Sequence, residues 1–88
     1  MLKITRSDLD PMHTTLRLEG RVTEANLSEL ERTQTECQQE GRRLVLDLAG
    51  VSFVDRVGVA ALHRLRRDGI IFTGCSPFVS ELLKEASR

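Results

Sequence analysis

The sequence predicts an α/β domain built on a mixed sheet of about four strands, the first pair antiparallel and the rest parallel, with about three helices packed on it. Three observations carry this prediction. Apolar residues alternate with polar ones near the start of the chain, the signature of half-buried strands. From Asn26 the apolar period changes from two to about 3.6. Leu44, Val45, Leu46 and Leu48 then form a nearly continuous apolar run broken only by Asp47, the pattern of a parallel strand buried on both faces. With 88 residues, residues 1–88 form one domain.

Leu2 and Ile4 alternate with Lys3 and Thr5 as a first strand. A turn spans Asp8 to Pro11, and Thr14 to Glu19 alternates again with Leu16 and Leu18 inward, ending at Gly20. The short separation makes these two strands an antiparallel pair. A first helix follows, with Leu27, Leu30, Gln34 and Cys37 on one stripe. Asn26 with Glu29 has capping-box spacing, Thr23 is the alternative cap, and Gly41 ends the helix. Residues 14–48 therefore read as a strand, helix, strand unit with a right-handed parallel crossover.

After the central strand the spacing predicts a turn at Ala49-Gly50, a second apolar step through Val51, Phe53 and Val54, and then Asp55 as a helix N-cap. Projected at 100° per residue, the second helix places Gly58, Ala61, Leu62 and Leu65 toward the sheet. Arg56, Ala60, His63 and Arg67 fall on the opposite side with Arg64 beside them. Val57 projects close to Ala61, which predicts partial burial. Gly69 ends this helix. Ile70 to Thr73 reads as a buried parallel strand. Ser76 and Pro77 then start a last helix whose core stripe is Val79, Leu82, Leu83 and Ala86.

Composition narrows the function classes. Thirteen basic and thirteen acidic residues give zero formal charge, which argues against a nucleic-acid binder. Neither Trp nor Tyr is present, and only Phe53, Phe72 and Phe78 supply aromatic rings, so base stacking has no platform. The acids are concentrated before residue 41 and the bases after it. Cys37 and Cys75 are too few and too far apart for a disulfide scaffold or metal site, and both are expected to be reduced and buried. His13 and His63 have no Cys or acid at ligand spacing. No signal peptide or membrane-length apolar run is legible, so a cytoplasmic location and no membrane insertion are expected. No cofactor is implied.

Three segments resemble one family. Leu18-Glu-Gly-Arg-Val22 is similar to its second-strand motif. Leu44-Val-Leu-Asp-Leu-Ala-Gly-Val-Ser-Phe-Val-Asp55 together with Arg56-Val-Gly58-Val-Ala-Ala-Leu62 is similar to its central motif, and Gly74-Cys-Ser-Pro77 through Leu83 to its last turn and helix. The family is the STAS domain, which includes the bacterial anti-sigma factor antagonists. The resemblance covers nearly the whole chain and implies a non-catalytic protein-binding module.

Its partner would be an anti-sigma factor of the histidine-kinase-like ATPase class, met at the loop and helix start formed by Asp55, Arg56, Val57 and Gly58, with His63 on the same helix. In the antagonists, two hydroxyl residues follow the Asp, and the second accepts phosphate from the partner kinase. Here these positions are Arg56 and Val57. Valine has no oxygen to phosphorylate, so Val57 is a degenerate phosphoacceptor position. The Asp common after the second-strand motif is Thr23 here.

Local roles compete with functional ones. Asp55 is explained by capping alone, and a cap also fixes any loop a partner touches. Arg56 opposes the helix dipole, so local stability does not account for it. The stripe Arg56, His63, Arg67 with Arg64 is either a solvated face or a surface for an acidic partner. Ser52 and Ser76 fit turn and cap duty, with relocated phosphorylation the sharper reading.

Within the same fold, the alternative is an accessory subunit of a lipid-transporting ABC system, bound to its ABC ATPase. A homodimer is also compatible with the sequence. From another class, Leu44 to Asp47 superficially resembles a receiver-like phosphoacceptor strand using Asp47, but Asp8 and Asp10 sit in a hairpin instead of beside it.

Overall fold

The computed structural model describes residues 1–8 and 10–86. Their order is β1 (Leu2–Asp8), β2 (His13–Val22), a 3₁₀ turn (Glu24–Asn26), α1 (Leu27–Gln39), β3 (Arg43–Val54), α2 (Arg56–Arg67), β4 (Ile71–Thr73) and α3 (Pro77–Ala86). The four strands form one sheet in the order β1-β2-β3-β4. β1 and β2 are antiparallel; β3 is parallel to both β2 and β4.

Strand registry explains the core. Leu16 is opposite Leu46, which is opposite Phe72, and Ile4 is opposite Leu18. These side chains share one sheet face. Leu16, Leu18, Leu46 and Leu48 are buried there with Leu30, Leu62, Val79 and Leu83 from the helices. The other face carries Thr15, Arg17, Val45, Asp47, Ile71 and Thr73, none of them fully buried. The central strand is therefore buried on one face only, contrary to the expectation from its apolar run. Its alternating Val45 and Asp47 are half-buried because no helix covers them.

The largest departure from the predicted layout is at Ala49-Gly50. No turn forms there. β3 runs through as a twelve-residue strand, and its register against β2 slips twice, between Arg17/Glu19 and Gly20/Arg21. Each slip leaves one extra residue on β3, a bulge. Strict alternation from Leu44, Leu46 and Leu48 would turn Val51 outward. The two bulges restore it, so the buried series continues at steps of three through Val51 and Val54.

β4 is a three-residue edge strand whose Ile71 is 52% exposed. Only Ile70, just outside it, is buried, so the expected buried strand is corrected. On α1, Leu27, Leu30 and Cys37 are buried as the 3.6 period requires, and Gly41 ends the helix at φ 74°. On α2 the sheet-facing residues are Gly58, Ala61, Leu62 and Leu65, joined by Val59. Ser76 Oγ accepts from Val79 N at 3.2 Å as the cap of α3. Val79 and Leu83 are buried and Leu82 half-buried; the Ala86 side chain lies outside the described residues. Both cysteines are free, Cys37 buried and Cys75 half-buried instead of enclosed. Burial pushes the Cys37 thiol up.

At the hairpin end of the sheet, charges from three segments meet. The Arg6 guanidinium donates to both oxygens of Glu40 at 3.0 and 2.8 Å and to Asp8 at 3.0 Å. Arg42 approaches Asp8 and Glu40 at 3.6 and 3.7 Å and donates to the Asp10 carbonyl at 2.8 Å. Asp8 also accepts from the buried Thr14 hydroxyl at 2.9 Å. These bonds tie β1 to the end of α1 and the start of β3, and they hold the Glu40 and Asp8 carboxyls below their ordinary range.

Candidate functional site around Asp55

The opposite end of the sheet gathers the residues singled out by the sequence. Val22 and Val54 end β2 and β3 side by side, and Asp55 N donates to the Val22 carbonyl at 3.1 Å. Asp55 then leaves the strand in an extended conformation, φ −83° and ψ 178°. This geometry lets its side chain fold back over the first turn of α2. Its Oδ1 accepts from Gly58 N at 2.7 Å, the predicted cap.

Its second oxygen does something the sequence did not disclose. Oδ2 accepts from Glu24 N at 3.0 Å, the first residue of the 3₁₀ turn that leads into α1. One carboxylate therefore satisfies free N–H groups at the starts of two helical segments. The bonds from Glu24 and then Gly58 hold the Asp55 carboxyl below the ordinary carboxylate range.

The expected caps for the first helix are corrected. Asn26 has helical φ and ψ and makes no side-chain cap bond. Its amide instead donates to the Arg21 carbonyl at 3.0 Å and to Thr23 Oγ1 at 3.2 Å. Thr23 is extended and likewise caps nothing with its side chain. Asp55 takes that role from a distant part of the chain.

Gly58 is fixed by space. A Cβ there would lie 2.5 Å from the Val22 carbonyl oxygen, 2.9 Å from Val54 Cγ1 and 3.1 Å from Asp55 Oδ1. The absent side chain lets α2 start against the strand ends. With Gly58 and Val59 turned inward, Val57 lies on the flank and is 42% exposed, more than its projection near Ala61 implied. Arg56 is exposed and its side chain enters no ion pair among the described residues.

His63 departs from the expected solvated face. It is half-buried, and its Nε2 is enclosed with no hydrogen-bond partner among the described residues. The adjacent Arg64 is paired with Glu31 of α1 at 3.2 Å. The stripe from Arg56 to Arg67 is thus divided, and His63 does not present its Nε2 to a partner beside Val57.

Sequence reasoning missed Phe53 and Arg21. Phe53 was read as part of an apolar step, but it is 38% exposed, with the Arg21 guanidinium carbon 4.7 Å from its ring centroid. The bulge at Gly20/Arg21 causes this: Phe53 sits between buried Val51 and Val54 and must point away from the core. Ser52 marks the irregularity, since its hydroxyl donates to the Gly20 carbonyl at 3.1 Å. A small polar residue inside a strand run was the available signal.

Asp47 lies on the open sheet face, opposite Arg17 and Thr73, and accepts from Ala49 N at 3.0 Å. Asp8 and Asp10 belong to the hairpin at the other end of the sheet, so they do not join Asp47 in an acidic site. Ser52 and Ser76 both have structural hydrogen bonds.

The family model described as "Mlab, STAS domain" matches residues 5–87. Among solved structures, the anti-sigma factor antagonist SpoIIAA in its unphosphorylated form superposes with a TM-score of 0.70 at 17% identity, covering 93% of this chain and 82% of that one. An antisigma-factor antagonist STAS domain from Rhodobacter sphaeroides gives a TM-score of 0.64 at 22% identity, covering 84% and 87%. The structure of Mglu gives 0.62 at 23% identity, covering 83% of this chain but 19% of that larger one. These likenesses establish the fold. No curated protein matches the sequence. The four-stranded mixed sheet and the match over residues 5–87 show that the chain belongs to the STAS domain family.

Proposed function

We propose that this chain is a non-catalytic protein-interaction module that resembles an anti-sigma factor antagonist and docks its partner through Asp55, Arg56, Val57 and Gly58. The observation that carries this reading is the exposed apolar Val57 on a helix start held rigid from two sides by Asp55. Pre-organised loops lose little conformational freedom on binding. The partner class is an ATP-binding anti-sigma factor of the histidine-kinase-like type.

Phosphorylation at the usual place adds a charge of about −2 at a helix N-terminus. Val57 carries no hydroxyl, so that switch has no acceptor here. The module is then constitutively competent or controlled by its abundance. His63, which the sequence reading placed beside these residues, is half-buried with its Nε2 enclosed and is left out of the proposed contact.

Val57→Asp tests the assignment by placing a charge in the apolar contact. Capture of a purified anti-sigma ATPase is expected to weaken by at least about tenfold, with the thermal midpoint little changed. Unchanged capture removes the docking site from this loop. The lack of a phosphoacceptor equally suits an accessory subunit of an ABC transporter, and selective binding to an ABC ATPase instead of an anti-sigma factor would choose that reading.

A further inference from the structure

The other end of β3 borders a cavity. Where α1 and α2 finish and β3 begins, a cleft of about 310 Å³ is lined by the buried residues Leu44 and Ile70 together with Gln38, Arg43, Asp68 and Gly69. Arg42 also borders it, but its guanidinium is engaged with Asp8, Glu40 and the Asp10 carbonyl. An apolar floor with a few polar groups around it is the usual build of a small-molecule site, and this volume lies at the small end of such sites.

Two opposite charges in this lining lack partners. Neither Arg43 nor Asp68 enters an ion pair among the described residues, with each other or with a third group. The acids of the hairpin end, Asp8, Asp10 and Glu40, are held by Arg6, Arg42 and His13. Asp68 is the C-cap of α2, where the helix dipole disfavours an anion. The last turn of α2 does not answer it with a bond: Arg64 is paired with Glu31, and Arg66 lies over the Phe72 ring at 5.7 Å. Local stability therefore accounts for neither charge.

We infer that this cavity takes a small zwitterion with an apolar side chain, a free branched-chain α-amino acid. Its carboxylate meets Arg43, its ammonium meets Asp68, and its side chain covers Leu44 and Ile70. A guanidinium offers paired N–H donors to a carboxylate. The ammonium is favoured by the Asp68 carboxylate and by the negative end of the α2 dipole together, and the Gln38 amide can donate or accept at the rim. The cavity and the Asp55 loop lie at opposite ends of β3, so this binding role is independent of the docking role.

The test uses the full chain with L-leucine and two analogues that each lack one charge, isocaproate without the ammonium and isoamylamine without the carboxylate. Amide shifts are followed in ¹H–¹⁵N spectra. Leucine is expected to shift Leu44, Gly69 and Ile70 saturably, and each analogue to bind about tenfold more weakly. Arg43 and Asp68 are exposed, so both can be changed with the fold kept. Arg43→Gln should weaken leucine about tenfold and leave isoamylamine unchanged. Asp68→Asn should weaken leucine equally and leave isocaproate no weaker. A merely structural role for either residue would move all three compounds alike.

Equal binding of leucine and both analogues to the unaltered chain overturns the zwitterion assignment, since an apolar floor alone would then account for it. Shifts that rise without saturating, that fall on other surfaces, or that are absent overturn the site itself. None of these results bears on the Asp55 loop, which Val57→Asp tests separately.

Discussion

The two ends of the sheet handle charge in opposite ways. At the hairpin end, Arg6 and Arg42 meet Asp8, Glu40 and the Asp10 carbonyl in one network. At the Asp55 end, the carboxylate is spent on backbone N–H groups, and Arg21 and Arg56 enter no ion pair among the described residues. The first arrangement closes the fold on itself. The second fixes the backbone while leaving side-chain chemistry facing outward, as an interaction surface requires.

The most disruptive way to break this contrast is Gly58→Ala. Alanine favours a helix by up to about 1 kcal/mol over glycine, but its Cβ would collide with the Val22 carbonyl and Val54. Overpacking is expected to win and destabilise the chain by about 1–3 kcal/mol, with partner capture lost as α2 shifts. Denaturant unfolding beside capture measures both effects. A gain in stability would mean that α2 does not depend on close approach.

Acid titration separates the two ends next. Asp8, Glu40 and Asp55 all have depressed pKa values in the folded chain. As pH falls below about 4, the unfolded chain binds protons first, so the stability these groups contribute is present above that range and lost through the folded values. Asp55→Asn retains an acceptor for Gly58 N but turns an NH₂ toward Glu24 N. It is expected to flatten part of the acid dependence and loosen the start of α1, seen as faster amide exchange there. Asp8→Asn should also flatten part of the acid dependence, without touching α1's start. Identical exchange patterns would sink the two-helix role of Asp55.

The smallest and sharpest perturbation is Arg56→Glu. An anion in the first turn of α2 should raise stability by about 0.3–1 kcal/mol while weakening capture of the partner at the proposed docking loop. Stability and binding moving in opposite directions would place Arg56 outside the needs of the fold. A loss of both would make it a structural residue.

Much of this was legible from periodicity because helices and strands bury their apolar residues at fixed intervals. The stripe Leu27, Leu30, Gln34, Cys37 and the alternation of Leu16 with Leu18 identify their elements directly, and Asp55 three residues before Gly58 has the spacing of a cap. Phe53 was not legible, because an apolar side chain in a strand carries no mark of which face it takes once a bulge intervenes. His63 was misplaced for a related reason. Helical projection gives direction from the axis, whereas enclosure depends on what neighbouring elements bring to that side.

By itself, the sequence determined the order of the elements, the antiparallel start and parallel remainder, the Asp55 cap and the missing hydroxyl at position 57. These are local properties, set by side-chain type and spacing along one segment. Only the tertiary structure decided that β3 passes through Ala49-Gly50 with two bulges, that one sheet face stays open, and that Asp55 also holds Glu24. Those outcomes depend on contacts between residues 31 apart for the carboxylate and on the register between neighbouring strands, which no local pattern encodes.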